Sequence, residues 1–127
     1  MSETAPGHRV LVVDDDRAIR DLVKRLVARH GFVIDSASDG GDAWTLIVQN
    51  VYDAVLLDLM MPNMNGFDLV DRIREERPSL LPRIVIMTAF SRGGKVPVVE
   101  GVHSILRKPF DIGELLEHIT DAVQEKK

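Results

Sequence analysis

The side chains best suited to chemistry stand at or just beyond the ends of short, mostly apolar segments: Asp14, Asp15, Asp16, Asp58, Thr88 and Lys108. Asp58 interrupts the apolar stretch 55–61, where an unpaired carboxylate would be costly. Clustered carboxylates suit a hard cation, and Mg²⁺ held by one or two of them together with waters and a phosphate is the commonest such arrangement. A carboxylate can also attack phosphorus and form an aspartyl phosphate.

The remaining polar residues fit phosphoryl chemistry. A metal ion and Lys108 would neutralise charge on the phosphoryl oxygens, and the Thr88 hydroxyl would supply a hydrogen bond. Each residue also has a purely structural explanation. An aspartate between a strand and a helix is most often a helix cap, which we expect for Asp16. A threonine that ends a strand is ordinary, and a lysine before proline is usually a solvated charge.

Five short segments that predict strands alternate with helical patterns; the segments are 10–13, 32–37, 54–57, 84–87 and a weaker one at 104–106. Asn65 and Gly66 could form a hairpin turn, but the spacing of the apolar residues that follow predicts a helix ending near Pro78. Asp111 and Glu114 predict a capping box for the last helix. Gly93, Gly94 and Pro97 oppose a helix between strands four and five, so this segment is expected to be short or irregular.

This alternation predicts an α/β fold, with a parallel sheet covered on both faces by right-handed crossovers. The carboxyl ends of parallel strands share one edge, where ligands bind at the topological switch point. The polar residues that follow the strands should therefore converge at that edge.

Length and composition limit the alternatives. The chain has 127 residues, which predicts one domain at roughly 100 to 200 residues per domain. Its net charge of −4 has the wrong sign for binding nucleic acid or anionic lipid through net charge. It contains no cysteine, which excludes disulfides and thiolate metal sites. No apolar run reaches the length of a membrane helix, so we expect a cytoplasmic protein with a flexible lead-in at 1–8 and one domain at 9–127.

Four ordered motifs carry a resemblance to a known family: VLVVDDD at 10–16, VLLDLMMPNMNG at 55–66, MTA at 87–89 and KPF at 108–110. Together they resemble the receiver domain of two-component response regulators over nearly the whole chain. The resemblance implies a flavodoxin-like doubly wound sheet of order 2-1-3-4-5. It also implies a phosphorylation-controlled signalling domain that is a phosphoacceptor and not an enzyme acting on other substrates.

The resemblance further implies a role for each matching residue. Asp58 would be the phosphoacceptor, Asp15 a direct Mg²⁺ ligand and Asp14 a ligand acting mainly through water. The backbone carbonyl of Met60 would complete the metal site together with Asp58. Thr88 would be the switch hydroxyl, and Lys108 the cation that pairs with the phosphoryl group. Pro109 matches the position at which the family has a cis peptide bond.

Partners follow from the same resemblance. The donor would be a phosphohistidine on a sensor histidine kinase or phosphotransfer protein, and the recipient of the signal a downstream effector protein or a fused output domain. A phosphorylation-dependent homodimer is also possible. We expect no direct binding of this domain to nucleic acid or membrane.

Two features depart from the family pattern on the face that changes with phosphorylation. Ile105 stands where the family usually has a switch aromatic residue, and it has no ring or hydroxyl to bury. The segment 88–108 is also shorter than usual, which suggests that residues 90–102 themselves order or shift on phosphorylation. Three residues occupy positions that flank the phosphoryl group, namely Met60, Ala89 and Phe90. Since Met60 and Phe90 are bulky and apolar, we expect restricted access for water and a persistent phosphoaspartate.

Three alternatives remain open from the sequence. Asp14 and Asp16 also satisfy the Asp-x-Asp pattern of a phosphohydrolase in which Asp14 attacks and Asp16 is acid and base, although the chain has no cap region for substrate selection. A receiver-like binding module without phosphorylation is favoured by Ile105 and opposed by the complete acidic set. A flavin carrier shares the topology, but three carboxylates would repel its phosphate.

Overall fold

The computed structural model describes residues 7–61, 66–89 and 99–124. Within these residues the chain forms five strands, four α-helices and a short 3-10 helix at Pro78–Arg83. The regular elements are β1 (Arg9–Val13), α1 (Arg17–Arg29), β2 (Val33–Ala37), α2 (Gly40–Gln49), β3 (Ala54–Asp58), α3 (Gly66–Glu76), β4 (Ile84–Ala89), β5 (Ser104–Lys108) and α4 (Ile112–Val123). The strands are all parallel in the order β2-β1-β3-β4-β5, which confirms the predicted doubly wound sheet.

Apolar side chains alternate between the two faces of the sheet, and helices cover both. On β1, Val10 and Val12 join the cluster that includes residues of α1 and α4, whereas Leu11 and Val13 join the cluster that includes residues of α2 and α3. Every residue of β3 is buried, as expected for a strand covered on both faces. Burial of each large aliphatic side chain contributes about 1.5 to 3 kcal/mol, so this double layer is the main source of rigidity beneath the carboxyl edge.

Aspartate caps begin three of the helices. Asp16 accepts hydrogen bonds from the backbone N of Ala18 and of Ile19 at the start of α1. Asp39 caps α2, and Asp111 forms the predicted capping box of α4 with Glu114. The cap predicted for Asp16 is thereby confirmed, and the start of each helix is defined next to the strand that precedes it.

The region around Gly66 is the start of a helix and not a hairpin turn. The backbone N of Gly66 donates to the carbonyl of Leu59 at 3.1 Å. A Cβ at Gly66 would lie 2.5 Å from Leu59 Cα and 2.7 Å from the Asp58 carbonyl oxygen. Only glycine therefore allows α3 to begin this close to the end of β3.

Some predictions fall outside the described residues. These are residues 1–6 of the predicted lead-in, Phe90, and positions 90–98 of the segment predicted to be short or irregular. Of the lead-in, His8 is described, and its carbonyl accepts a hydrogen bond from Val33 N at 2.8 Å. None of the helices in the described ranges is both long enough and apolar enough to cross a bilayer.

Candidate functional site

Three carboxylates converge at the carboxyl edge of the sheet. Asp14 and Asp15 follow β1, and Asp58 is the last residue of the neighbouring strand β3. One carboxylate oxygen from each residue lies within 4.8 Å of the other two. Asp14 and Asp58 are 0% and 4% exposed, whereas Asp15 is exposed to solvent. The group is thus open on one side, and its spacing would allow the three oxygens to share one metal ion.

Asp14 is held by both its carboxylate and its backbone. Its Oδ1 accepts from the backbone N of Asp16 at 2.9 Å, and its Oδ2 accepts from Lys108 Nζ at 2.8 Å. Its backbone N donates to the Ala37 carbonyl at 3.2 Å, and its carbonyl accepts from Arg20 Nη1 at 2.8 Å. These contacts compensate the burial of a charged group, which would otherwise be costly.

Lys108 reaches the cluster from the end of β5, two strands away from β3. Its ammonium group contacts Asp14 at 2.8 Å and Asp58 Oδ2 at 3.6 Å. Burial alone would lower the pKa of Lys108, but the hydrogen bond to Asp14 and the charges of Asp14 and Asp58 raise it overall. Lys108 is therefore a permanent cation at this edge. The peptide bond that follows it, to Pro109, is cis, as the resemblance implied.

The carboxyl group of Asp58 binds a proton more tightly than a free aspartate does. Burial raises the pKa of Asp58 to about 6, and the charges of Asp14 and Asp15 add to the effect. The hydrogen bond from Met60 N to Asp58 Oδ1, at 3.1 Å, and the charge of Lys108 act in the opposite direction. At neutral pH the group is mostly ionised, so a desolvated carboxylate is available as a nucleophile or metal ligand.

The other predicted site residues lie at the same edge with different exposures. Thr88 is buried in β4, one residue beyond the Met87 that pairs with Asp58, and its hydroxyl donates to the Ala89 carbonyl at 3.3 Å. Ala89 is exposed, and the Met60 side chain is 68% exposed. The third flanking residue, at position 90, lies outside the described residues.

Ile105 lies away from the acidic cluster, within β5. It is opposite Ile86 in the register and packs, half-buried, against the apolar cluster shared with α2 and α3. An aromatic ring at position 105 would therefore have to pack against this same apolar cluster.

Two features of the site were not found from the sequence. Arg20 contacts the backbone of Asp14, and Gly66 allows α3 to approach the end of β3. For Arg20, no spacing in the sequence indicates which backbone carbonyl an arginine side chain of α1 reaches. For Gly66, no pattern in the sequence distinguishes a close backbone approach from a turn.

The sheet order and the polar residues at its carboxyl edge define a flavodoxin-like doubly wound α/β protein, with its acidic cluster at the switch point between β1 and β3. The sequence model of the response regulator receiver domain matches residues 10–120, and the chain belongs to that family. It is therefore a phosphorylation-controlled signalling domain of the two-component type.

Individual relatives agree with this assignment. The chain is 35% identical to the DNA-binding transcriptional regulator NtrC of Bradyrhizobium over 96% of its length, and 38% identical to the response regulator MprA of Mycobacterium over 85%. It spans about a quarter of the former and about half of the latter. The structure of the response regulator TrrA from Thermotoga maritima, in complex with Mg²⁺ and BeF, is similar with a TM-score of 0.79 and 31% identity. That similarity covers 90% of this chain and 97% of TrrA.

Proposed function

We propose that this domain accepts a phosphoryl group on Asp58. The observation that supports this most directly is the grouping of Asp14, Asp15 and Asp58 within 4.8 Å, with the Lys108 ammonium 3.6 Å from Asp58. Asp58 is the only one of the three carboxylates that ends a strand buried on both faces. Its carboxylate is buried, and burial raises its pKa, so its charge is poorly stabilised by solvent, which favours its reaction with an electrophile.

The donor set fits Mg²⁺. The side-chain ligands would be Asp14, Asp15 and Asp58, with the backbone carbonyl of Met60 as a further ligand, and all of these donate oxygen. Asp15 would bind directly, because it is exposed, and Asp14 mainly through water, because both of its oxygens already accept hydrogen bonds. When bound, Mg²⁺ supplies positive charge to the phosphoryl oxygens in the transition state.

The transfer conserves atoms and charge. An oxygen of the Asp58 carboxylate attacks phosphorus, the bond from phosphorus to the donor's imidazole nitrogen breaks, and the imidazole leaves with its electron pair and takes up a proton. The product is an acyl phosphate on Asp58. Lys108 would move from Asp14 toward the new phosphoryl oxygens, and the Thr88 hydroxyl would turn from the Ala89 carbonyl to donate to them.

The proposed partners are those of the family. A sensor histidine kinase or a phosphotransfer protein would supply the phosphohistidine, and an effector protein or fused output domain would read the signal, with or without a homodimer. We propose that the receiver domain comprises residues 9–127 and that the protein is located in the cytoplasm. We further propose that the domain has no substrate other than its own aspartate.

The phosphohydrolase alternative gains no support from the geometry. It requires Asp14 as nucleophile, but Asp14 is fully buried and both of its carboxylate oxygens accept hydrogen bonds. It also requires Asp16 as acid and base, whereas the Asp16 side chain caps α1. Lys108 Nζ also lies closer to Asp14, at 2.8 Å, than to Asp58, at 3.6 Å, so the Asp14 carboxylate is the more strongly held of the two and the less available for attack.

Intact mass after incubation with acetyl phosphate and Mg²⁺ tests the proposal. The parent should gain one phosphoryl group, and Asp58→Asn should gain none. Asp16→Asn is the matched control, since asparagine caps a helix about as well as aspartate and should leave the phosphoryl gain unchanged. A phosphoryl group on Asp58→Asn, or none on the parent, would contradict the proposal.

The output is tested separately by hydrogen exchange. We propose that residues 90–102 change on phosphorylation, because Ile105 lacks the ring or hydroxyl that the family usually moves at this position. Exchange in this segment should differ between the free protein and the protein with Mg²⁺ and beryllofluoride. Identical protection in the two states would refute this part of the proposal.

A further inference from the structure

The side chain of Arg20 contacts the acidic cluster at a backbone carbonyl, that of Asp14, and not at a carboxylate. It lies half-buried on the first turns of α1, and its Nη1 donates to the Asp14 carbonyl at 2.8 Å. A charged donor at this distance makes one of the stronger hydrogen bonds available to a carbonyl. The contact joins α1 to the loop that follows β1.

The accepting carbonyl belongs to the peptide unit that connects Asp14 to Asp15. Because a peptide unit is planar, fixing its oxygen also fixes the direction in which the chain enters Asp15. The carboxylate of Asp14 is already held by Asp16 N and Lys108, so those contacts position Asp14 itself. Asp15 is exposed, so the direction of its side chain depends on the two peptide units that flank it: Arg20 holds the first, and the hydrogen bond from Asp16 N to Asp14 Oδ1 holds the second.

We propose that Arg20 is a positioning residue for the divalent cation, which it serves by orienting the Asp14–Asp15 peptide so that the Asp15 carboxylate faces Asp58. This inference rests on the proposed metal site. Two effects of Arg20 oppose each other, since its positive charge repels a cation while its hydrogen bond pre-arranges a ligand. Solvent at the open edge of the sheet weakens the repulsion between Arg20 and the cation. The hydrogen bond of Arg20, in contrast, orients Asp15, a direct ligand of the cation. The arrangement therefore dominates.

Equilibrium binding of Mg²⁺ to the full chain, measured by calorimetry without any phosphoryl donor, tests the proposal. Arg20→Met keeps the length and apolar stem but removes donor and charge, and it should raise the Kd for Mg²⁺ about tenfold. Arg20→Lys retains a charged donor and should recover part of the affinity. Arg17→Met is the matched control on the same helix, because the Arg17 side chain is 85% exposed and pairs only loosely with Asp21, at 3.7 Å. It should leave the Kd close to that of the parent.

The sign of the change separates the two effects. An unchanged or tighter Mg²⁺ affinity in Arg20→Met would overturn the proposal, since loss of charge alone predicts tighter binding. Equal weakening by Arg17→Met and Arg20→Met would also overturn it. Urea unfolding of each variant without metal shows whether the variant is folded at the temperature of the titration. If Arg20→Met is unfolded, the Kd of Arg20→Lys for Mg²⁺ is compared with that of the parent instead.

Phosphorylation provides a second measurement with a different dependence. In Arg20→Met the Mg²⁺ concentration that gives half-maximal phosphorylation by acetyl phosphate should rise, while the rate at saturating Mg²⁺ should stay near that of the parent. A lower rate at saturation with an unchanged half-maximal concentration would refute the positioning role. If the parent itself gains no phosphoryl group, the proposed function of Asp58 fails, but the Mg²⁺ titration still tests Arg20.

Discussion

Lys108 Nζ donates a 2.8 Å hydrogen bond to Asp14 Oδ2, joining residues that are 94 positions apart in the chain. The carboxylate side of this pair is fully buried and the lysine side chain is 21% exposed. In the unphosphorylated protein the lysine thus compensates a buried charge. On the proposed phosphorylation of Asp58, the same lysine would be available to the phosphoryl group only by leaving that position, so stability and phosphorylation would compete for one ammonium group.

Replacement of Lys108 by methionine should destabilise the metal-free protein by roughly 3 kcal/mol, because it leaves the buried Asp14 carboxylate without its cation. Added Mg²⁺ should restore part of this loss, since a cation at the same carboxylates replaces the missing charge. Urea unfolding with and without Mg²⁺ measures both effects. Lys24→Met on α1 is the control and should change stability by less than about 0.5 kcal/mol. Equal losses in the two variants would show that the Lys108 pair contributes nothing specific.

The raised pKa of Asp58 predicts a pH-dependent stability. The pKa rises from 3.8 to about 6 on folding, chiefly through burial, so the folded protein binds this proton more tightly than the unfolded chain does. The contribution of Asp58 to stability is therefore complete below about pH 4 and is lost as the pH rises through 6. Asp58→Asn should be more stable than the parent by about 2 kcal/mol at pH 8, after allowance for solvent at the open edge, and by much less at pH 4.

Urea unfolding in the presence of a chelator, at several pH values between 4 and 8, measures this difference. Asp121→Asn, which replaces an exposed carboxylate on α4, is the control variant against which the pH dependence of Asp58→Asn is compared. A difference for Asp58→Asn that does not vary with pH would contradict the raised pKa.

The elements and the acidic cluster could be predicted because local patterns determine them. Apolar periodicity gave the strands and helices to within a few residues, and parallel strands necessarily bring Asp14 and Asp58 to one edge. The contact of Arg20 with a backbone carbonyl could not be predicted, because it depends on a rotamer and on the packing of α1 against β1. The closer approach of Lys108 to Asp14 than to Asp58 depends in the same way on side-chain positions at the ends of distant strands.

Gly66 shows how a backbone contact limits the site. Gly66→Ala would place a methyl group 2.5 Å from Leu59 Cα, so α3 or the end of β3 must move. We expect a loss of roughly 2 kcal/mol in stability, typical of overpacking against backbone, and slower phosphorylation of the displaced Asp58. Gly41→Ala in α2 is the control, because its nearest contact would be at 3.4 Å and alanine favours a helix. Equal stability of the two variants would contradict the close approach.

Met60 tests the predicted persistence of the phosphoaspartate. Its backbone N donates to Asp58 Oδ1 at 3.1 Å, while its side chain is 68% exposed. Met60→Asn introduces an amide that can form a hydrogen bond with a water molecule attacking the phosphoryl group. A hydrogen bond that lowers the activation free energy by about 1 kcal/mol corresponds to roughly fivefold faster dephosphorylation.

The rate of loss of the phosphoryl mass, followed after removal of acetyl phosphate, measures the effect of residue 60. Met60→Leu retains a bulky apolar side chain and should dephosphorylate at the rate of the parent. If Met60→Asn and Met60→Leu lose the phosphoryl group equally fast, the side chain at this position does not control the access of water. The lifetime of the phosphoaspartate would then depend on other groups at the site. Lys108 and Thr88 are the first candidates, since both would contact the phosphoryl oxygens.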